Sequence, residues 1–287
     1  MDFYFVNHNG QKIDLSEAPY LFQEGDLFDW VYAYQTMQNN GKNRTTDYHR
    51  EVKEFGVKVA VVPDFSLDPE ARKAQWKKDV NNFYDVTVQD VIDGINGALW
   101  TDTGYYLPCK LIGSSKSDWR MGLPFMFNDV TLLADNPAWI KDFKRSFYAG
   151  GSSGSGSGID FLAYPYSYPY TYSPPEAGYS NWEIDNYGDN DFEMIVYGPC
   201  ENPRVVINGQ PYEVYETLEA NEYIVITSNP NAVVKHLANG TTVDLWDYRL
   251  KTSSIFEPIP SGELDINWSG EFGFDLTIYA ERSEPAW

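Results

Sequence analysis

Three histidines, His8, His49 and His236, are the residues best suited to move protons near neutral pH. They lie far apart, and none has an adjacent Ser, Cys or Glu in a nucleophile or metal-ligand motif, so histidine catalysis is not expected. Cys109 and Cys200 form no ligand-spaced pair and fit a reducing compartment better than a disulfide framework. The glycine-rich run at 150–158 has neither the spacing of a dinucleotide fingerprint nor a following Lys-Ser/Thr, and so is not a phosphate cradle. The stretch Asp185-Asn186-Tyr187-Gly188-Asp189-Asn190-Asp191 offers hard oxygen donors, but Tyr187 breaks the EF-hand order. It reads as an acidic turn before a strand, with an irregular calcium loop as the other reading. A glycosidase needs only two well-separated carboxylates, which any of the 42 acids could supply, and a hydrolase ranks third among the functional readings. No catalytic residue, metal or cofactor is therefore assigned.

Tryptophan offers the other chemistry. Trp182, Trp246 and Trp268 sit in or beside strands of the second half. An exposed indole face there would stack on a sugar ring or a partner, whereas one turned inward would fill the core. A soluble carbohydrate-binding β-sandwich module is the alternative reading that these residues support.

The elements that hold such residues follow from composition and punctuation. The chain has 287 residues, 16% of them aromatic, which implies a folded, mainly β protein of two domains. Residues 150–158, all Gly and Ser, read as a linker between an N-terminal domain at 1–149 and a C-terminal domain at 159–287. In the first domain a strand over 55–63 precedes Asp68-Pro69-Glu70, which supplies an N-cap, a proline at the first helical position and an acid in the first turn. Trp76, Val80 and Phe83 or Tyr84 recur at helical spacing on one face; Thr87 offers a second helix start and Gly94 a stop. Short strands follow around 99–100, 105–107, 111–112, 124–127 and 130–133, giving a β-barrel-like domain with one or two helices. The tyrosine-proline run at 164–175 favours an extended path. Beyond it, strands over 192–197, 205–207, 212–215, 223–227, 232–237, 241–246, 264–268 and 272–280 predict an antiparallel β-sandwich. Asn208-Gly209 and Asn239-Gly240 mark type I′ hairpin turns within it.

Charge narrows the partners. The net charge is −21 and repels phosphate backbones, so no nucleic-acid affinity is expected. Residues 1–150 carry 21 acids and 16 bases; residues 151–287 carry 21 acids and only 5 bases. No signal peptide or membrane span is expected, and synthesis in a cytoplasm follows.

The wording late in the chain is specific. Ile184-Asp185-Asn186-Tyr187-Gly188, residues 195–205 (IVYGPCENPRV), Ile207-Asn208-Gly209, the segment 255–262 (IFEPIPSG), and the close from Asp275 to Trp287 resemble the C-terminal domain of siphophage distal tail (Dit) proteins. The first half is similar in layout, with Gly104-Tyr105-Tyr106 and Asn136-Pro137-Ala138-Trp139 as its marks. The resemblance implies a non-enzymatic virion protein, synthesised in the host bacterium and located at the tail tip. It implies a homo-hexameric ring of N-terminal domains at the distal end of the tail tube, contacting the tail tube protein and the tail-associated hub protein. It also implies galectin-like C-terminal sandwiches outside the ring, where baseplate or receptor-binding proteins attach. The family has no catalytic residues to carry over. Mutual repulsion among six strongly acidic second halves would splay them outward over the Debye length.

Overall fold

A computed structural model describes residues 1–150, 153–154 and 178–286. The chain divides into two compact units, Met1–Lys141 with Glu281–Trp287, and Asp142–Ala280. This division falls ahead of the glycine-serine run, and the end of the chain returns to the first unit. Most of 150–158 and all of 164–175 lie outside the described residues, so the tether and the tyrosine-proline path are not addressed. Gly150 is described, and its N–H donates to the Gly270 carbonyl at 2.7 Å.

The first unit is built from β1 (Phe3–Val6), β2 (Lys12–Asp14), β3 (Tyr20–Gly25), β4 (Ala33–Asn39), β5 (Lys42–His49), β6 (Lys53–Val61), α1 (Pro69–Asp93), β7 (Gly97–Thr101), β8 (Tyr106–Ser117), β9 (Met126–Ala134) and the start of β10 (Trp139–Phe147). One ladder runs β2-β1-β7-β8-β10 and a second runs β3-β6-β9-β8, all antiparallel. The long strand β8 serves both. Its first residues pair with β7 and its later ones with β9, and a bulge between Leu111 and Gly113 bends it between the two. What the sequence predicts as paired short strands at 105–112 and 124–133 is thus two continuous strands. Alternation in β9, buried at every second residue from Met126 to Ala134, directs one face into a core of Phe55, Val59, Leu107, Leu132 and Trp139.

Helix α1 closes that core. Asp68 caps it, its carboxylate accepting from Glu70 N and Ala71 N, and Pro69 follows. Trp76 and Phe83 are buried, Val80 and Tyr84 pack against the same cluster, and the Trp76 indole donates to the Val61 carbonyl at 3.1 Å. The helix ends at Gly94, φ 70°, whose N–H returns to the Asp90 carbonyl. The second start expected at Thr87 is not a boundary. Thr87 is buried mid-helix and its hydroxyl donates to the Phe83 carbonyl at 2.8 Å, so one helix covers the whole segment.

The second unit comprises the end of β10, β11 (Ser153–Gly154), β12 (Gly178–Ile184), β13 (Asp191–Tyr197), β14 (Cys200–Glu201), β15 (Arg204–Ile207), β16 (Gln210–Glu213), β17 (Thr217–Leu218), β18 (Tyr223–Ser228), β19 (Asn231–His236), β20 (Thr242–Asp244), β21 (Gly262–Trp268) and most of β22 (Phe274–Arg282). Antiparallel ladders β22-β13-β18-β19-β20 and β12-β21-β15-β16 supply the inward residues of one cluster, including Phe192, Met194, Ile224, Leu264, Ile266 and Leu276. Asn208 (φ 49°) and Gly209 (φ 83°) make the expected type I′ turn. At the second Asn-Gly pair only Gly240 has positive φ. The Asn239 side chain instead accepts from Thr241 N at 2.9 Å, and Leu237 N bonds the Thr241 carbonyl in a wider turn. The strand expected through 246 stops at Asp244 and gives way to a 3₁₀ turn at Trp246–Tyr248.

Candidate interaction surfaces

The three tryptophans separate by burial. Trp268 is 4% exposed, its indole donates to the Phe272 carbonyl at 3.2 Å, and it packs edge-on to Phe147 and Phe274. A Cβ at Gly178 would stand 2.2 Å from its ring, so glycine is what lets β12 lie against it. Trp268 is a core residue, and as a contact for sugar or partner it is corrected. Trp182 is half-buried beside Phe147 and below the Arg145 guanidinium. Trp246 is 40% exposed, stacked on Phe256 at 5.2 Å, with the Arg249 guanidinium 4.1 Å from its ring centre. The three do not converge on one platform.

The other chemistry-bearing residues serve the fold. Both ring nitrogens of His8 face carboxylates, Nδ1 to Asp90 at 2.6 Å and Nε2 to Asp93 at 3.1 Å, which ties the β1–β2 turn to the end of α1. His236 stacks on Tyr223 at 4.5 Å. Complete burial pushes the Cys109 thiol up to about 12, and burial pushes Cys200 up to about 11, so neither is poised as a thiolate. In the acidic turn at 185–191, Asn190 is buried and donates to the Gly188 and Ile259 carbonyls, while Asp191 accepts from Ser228 and Asn229. Asn190 and Asp191 thus spend their side chains on turn geometry. Among the described residues no cluster of three metal-ligating side chains forms. No described helix is long and apolar enough to cross a membrane.

What the first unit exposes is apolar surface. Strands β4 and β5 form a two-stranded sheet of their own, closed by Asn40 (φ 49°) and Gly41 (φ 73°) and containing a bulge after Gln35. No residue of either strand is buried. The register sets Tyr34 opposite Tyr48 on one face, and Met37 opposite Arg44 with Asn39 opposite Lys42 on the other. A lone two-stranded hairpin is marginal in water, and Tyr34, Met37 and Tyr48 are each more than 60% exposed. At the hairpin's base lies a cavity of about 300 Å³, lined by Trp30, Val31, Tyr32, Arg50, Val52 and Phe55 among others. Arg50 anchors this base to the returning chain end, donating to Glu281 at 2.9 Å and to the Tyr32 hydroxyl at 3.2 Å.

A second exposed patch occupies the last turns of α1. Val88, Val91 and Ile92 follow the i, i+3, i+4 pattern of a packing face and Ile95 follows just past the Gly94 cap, yet all four are exposed. Neither patch was singled out from sequence. Asn40-Gly41 between two strand-length segments was the available signal for the hairpin. For the helix, the signal was a run of β-branched residues in place of the polar ones that face solvent nearer its start.

No protein-family model and no curated protein sequence matches the chain. Solved structures do. A chain of the phage P2 baseplate in its activated conformation with Ca aligns over 99% of both chains at a TM-score of 0.57 and 15% identity. The same baseplate with Sr gives 0.56 over 99% of both chains, again at 15% identity. The crystal structure of SPP1 Dit, a paradigm of the hub adsorption apparatus in phages infecting Gram-positive bacteria, aligns over 98% of this chain and 99% of its own, at a TM-score of 0.57 and 10% identity. The fold is Dit-like. Both units take part in that likeness, since nearly all of each chain is covered.

Proposed function

We propose that this chain is a structural, non-catalytic component of a phage tail tip. Its first unit assembles into a hexameric ring at the distal end of the tail tube and links tube to hub. Its second unit faces outward, as a surface for baseplate or receptor-binding proteins. The carrying observation is the end-to-end likeness to SPP1 Dit and to a P2 baseplate chain, because a likeness spanning both units fits a shared architecture better than one borrowed domain. The exposed hairpin and helix patch of the first unit support self-assembly, since a monomer gains nothing from large solvent-facing apolar patches. The excess of acids after residue 150 supports an outward second unit, where like charges lie farther apart. His8 and His236, held in structural contacts, and the cysteines, whose thiols burial pushes up, support a role without chemistry. Negative-stain images of the purified full-length chain test the reading: rings with a central opening are expected, and a uniform field of single, unassembled particles would contradict it.

A further inference from the structure

The two exposed patches of the first unit are both apolar and carry opposite charge. The outer face of α1 near its end carries Val88, Val91 and Ile92, with Ile92 74% exposed, and Ile95 extends this apolar surface just past the Gly94 cap. Its surroundings are acidic. Asp85 stands one turn before Val88, Asp93 lies beside Ile92, and Asp135 accepts from Asn96 next to Ile95. The last turn holds no basic residue, so no charge of the helix itself offsets the negative pole of its 25 residues. The hairpin carries the opposite combination. On its Met37 face, Arg44 and Lys42 follow one another toward the tip, with no ion-pair partner among the described residues, and Met37 is 62% exposed. Methionine suits such a contact because its flexible thioether adapts to an irregular apolar surface.

We infer that the Met37–Arg44–Lys42 face of the hairpin of one copy docks on the apolar surface made by Val88, Val91 and Ile92 at the end of α1, with Ile95 just past its cap, in the next copy. The occupant is a second copy of this chain because the charges match. Two unpaired cations meet an acidic rim and a helix C-terminal pole, while apolar side chains on both sides lose water together. The two patches are different surfaces of one unit, so the contact is heterologous and is the kind that closes into a ring when the rotation allows it. The inference rests on the ring proposed above and assigns its subunit contact to named residues.

Two experiments on the full chain test it, both read by native mass spectrometry. In the first, Met37→Cys and Ile92→Cys are introduced together and oxidised. Disulfide-linked multimers up to the full assembly are expected, with none from the control pair Met37→Cys and Met121→Cys. In the second, K42E with R44E raises the concentration for half-assembly at least about tenfold, a change of about 1.4 kcal/mol, and adding D85K with D135K restores assembly. All these positions are exposed, so the chains keep their fold, which circular dichroism verifies. Rings of unmodified chain whose double-cysteine variant gives no linked multimers, or that assemble equally well after charge reversal, would overturn this contact and leave the ring reading standing. An unmodified chain that never assembles would defeat the ring reading itself, and with it this contact.

Discussion

Two hairpins in this chain share a turn and differ in everything else. Asn208-Gly209 joins β15 to β16, and Asn40-Gly41 joins β4 to β5, both with positive φ at the two central residues. In the second unit's hairpin, Val205, Ile207 and Tyr212 are buried in the sandwich, and β15 pairs onward with β21. In the first unit's hairpin no residue is buried and neither strand pairs with another sheet. The turn thus decides that a hairpin forms, while alternation of apolar residues decides whether the same molecule has a place for it. A hairpin with the turn but without a core leaves its side chains in solvent.

The comparison is broken most forcefully by large-to-small substitution on either side of it. Trp268→Ala is expected to cost the second unit about 3–5 kcal/mol, through lost burial and the cavity left among Phe147 and Phe274. Met37→Ala in the exposed hairpin is expected to change the stability of the isolated chain by no more than about 0.5 kcal/mol. Denaturant unfolding of both variants reads the difference, and equal losses would place the hairpin in a core of its own chain. Next in size, Asp68→Ala removes the acceptor for Glu70 N and Ala71 N and is expected to destabilise the first unit by about 1 kcal/mol. An unchanged midpoint would show that tertiary packing alone holds the start of α1.

The glycines sharpen the contrast further. Gly209→Ala forces a side chain into left-handed backbone at a turn coupled to the sandwich, and about 1 kcal/mol of destabilisation should appear in global unfolding. Gly41→Ala carries the same local strain, yet should change only hydrogen exchange within β4 and β5, because that hairpin opens separately from the unit. The smallest effect is electrostatic. The Glu219 N–H, and after it the Lys235 ammonium, hold the Glu222 carboxyl below its ordinary value of 4.5. A lowered carboxylate pKa adds stability that is in place above the unfolded value and is lost as pH falls through the folded one. Glu222→Gln should therefore flatten the acid limb of thermal stability below pH 4.5; superimposable acid limbs would remove Glu222 from the account.

Much of the framework was legible because its signals are local. The capping sequence Asp68-Pro69-Glu70, the stop at Gly94 and the turn at Asn208-Gly209 each fix backbone geometry within a few residues. The error at Thr87 arose because a threonine satisfied by the carbonyl four residues back looks, in sequence, like one waiting to cap. Asn239 misled because asparagine closes a turn with its side chain as readily as with its backbone. The interaction surfaces were not legible for a different reason. Val88, Val91 and Ile92 have the spacing of a buried face, and only the position of α1 on its sheet shows that this face is turned away from the core. Trp268 was open between core and platform until its partners Gly178, Phe147 and Phe272 were in place.

The central claim is that the first unit presents its exposed apolar surface to copies of itself. The mass of the unmodified chain, measured under native conditions at physiological ionic strength, tests it most directly. Six copies of the 32.8 kDa chain are expected in one closed species. A single-chain mass that persists as concentration is raised would contradict the claim.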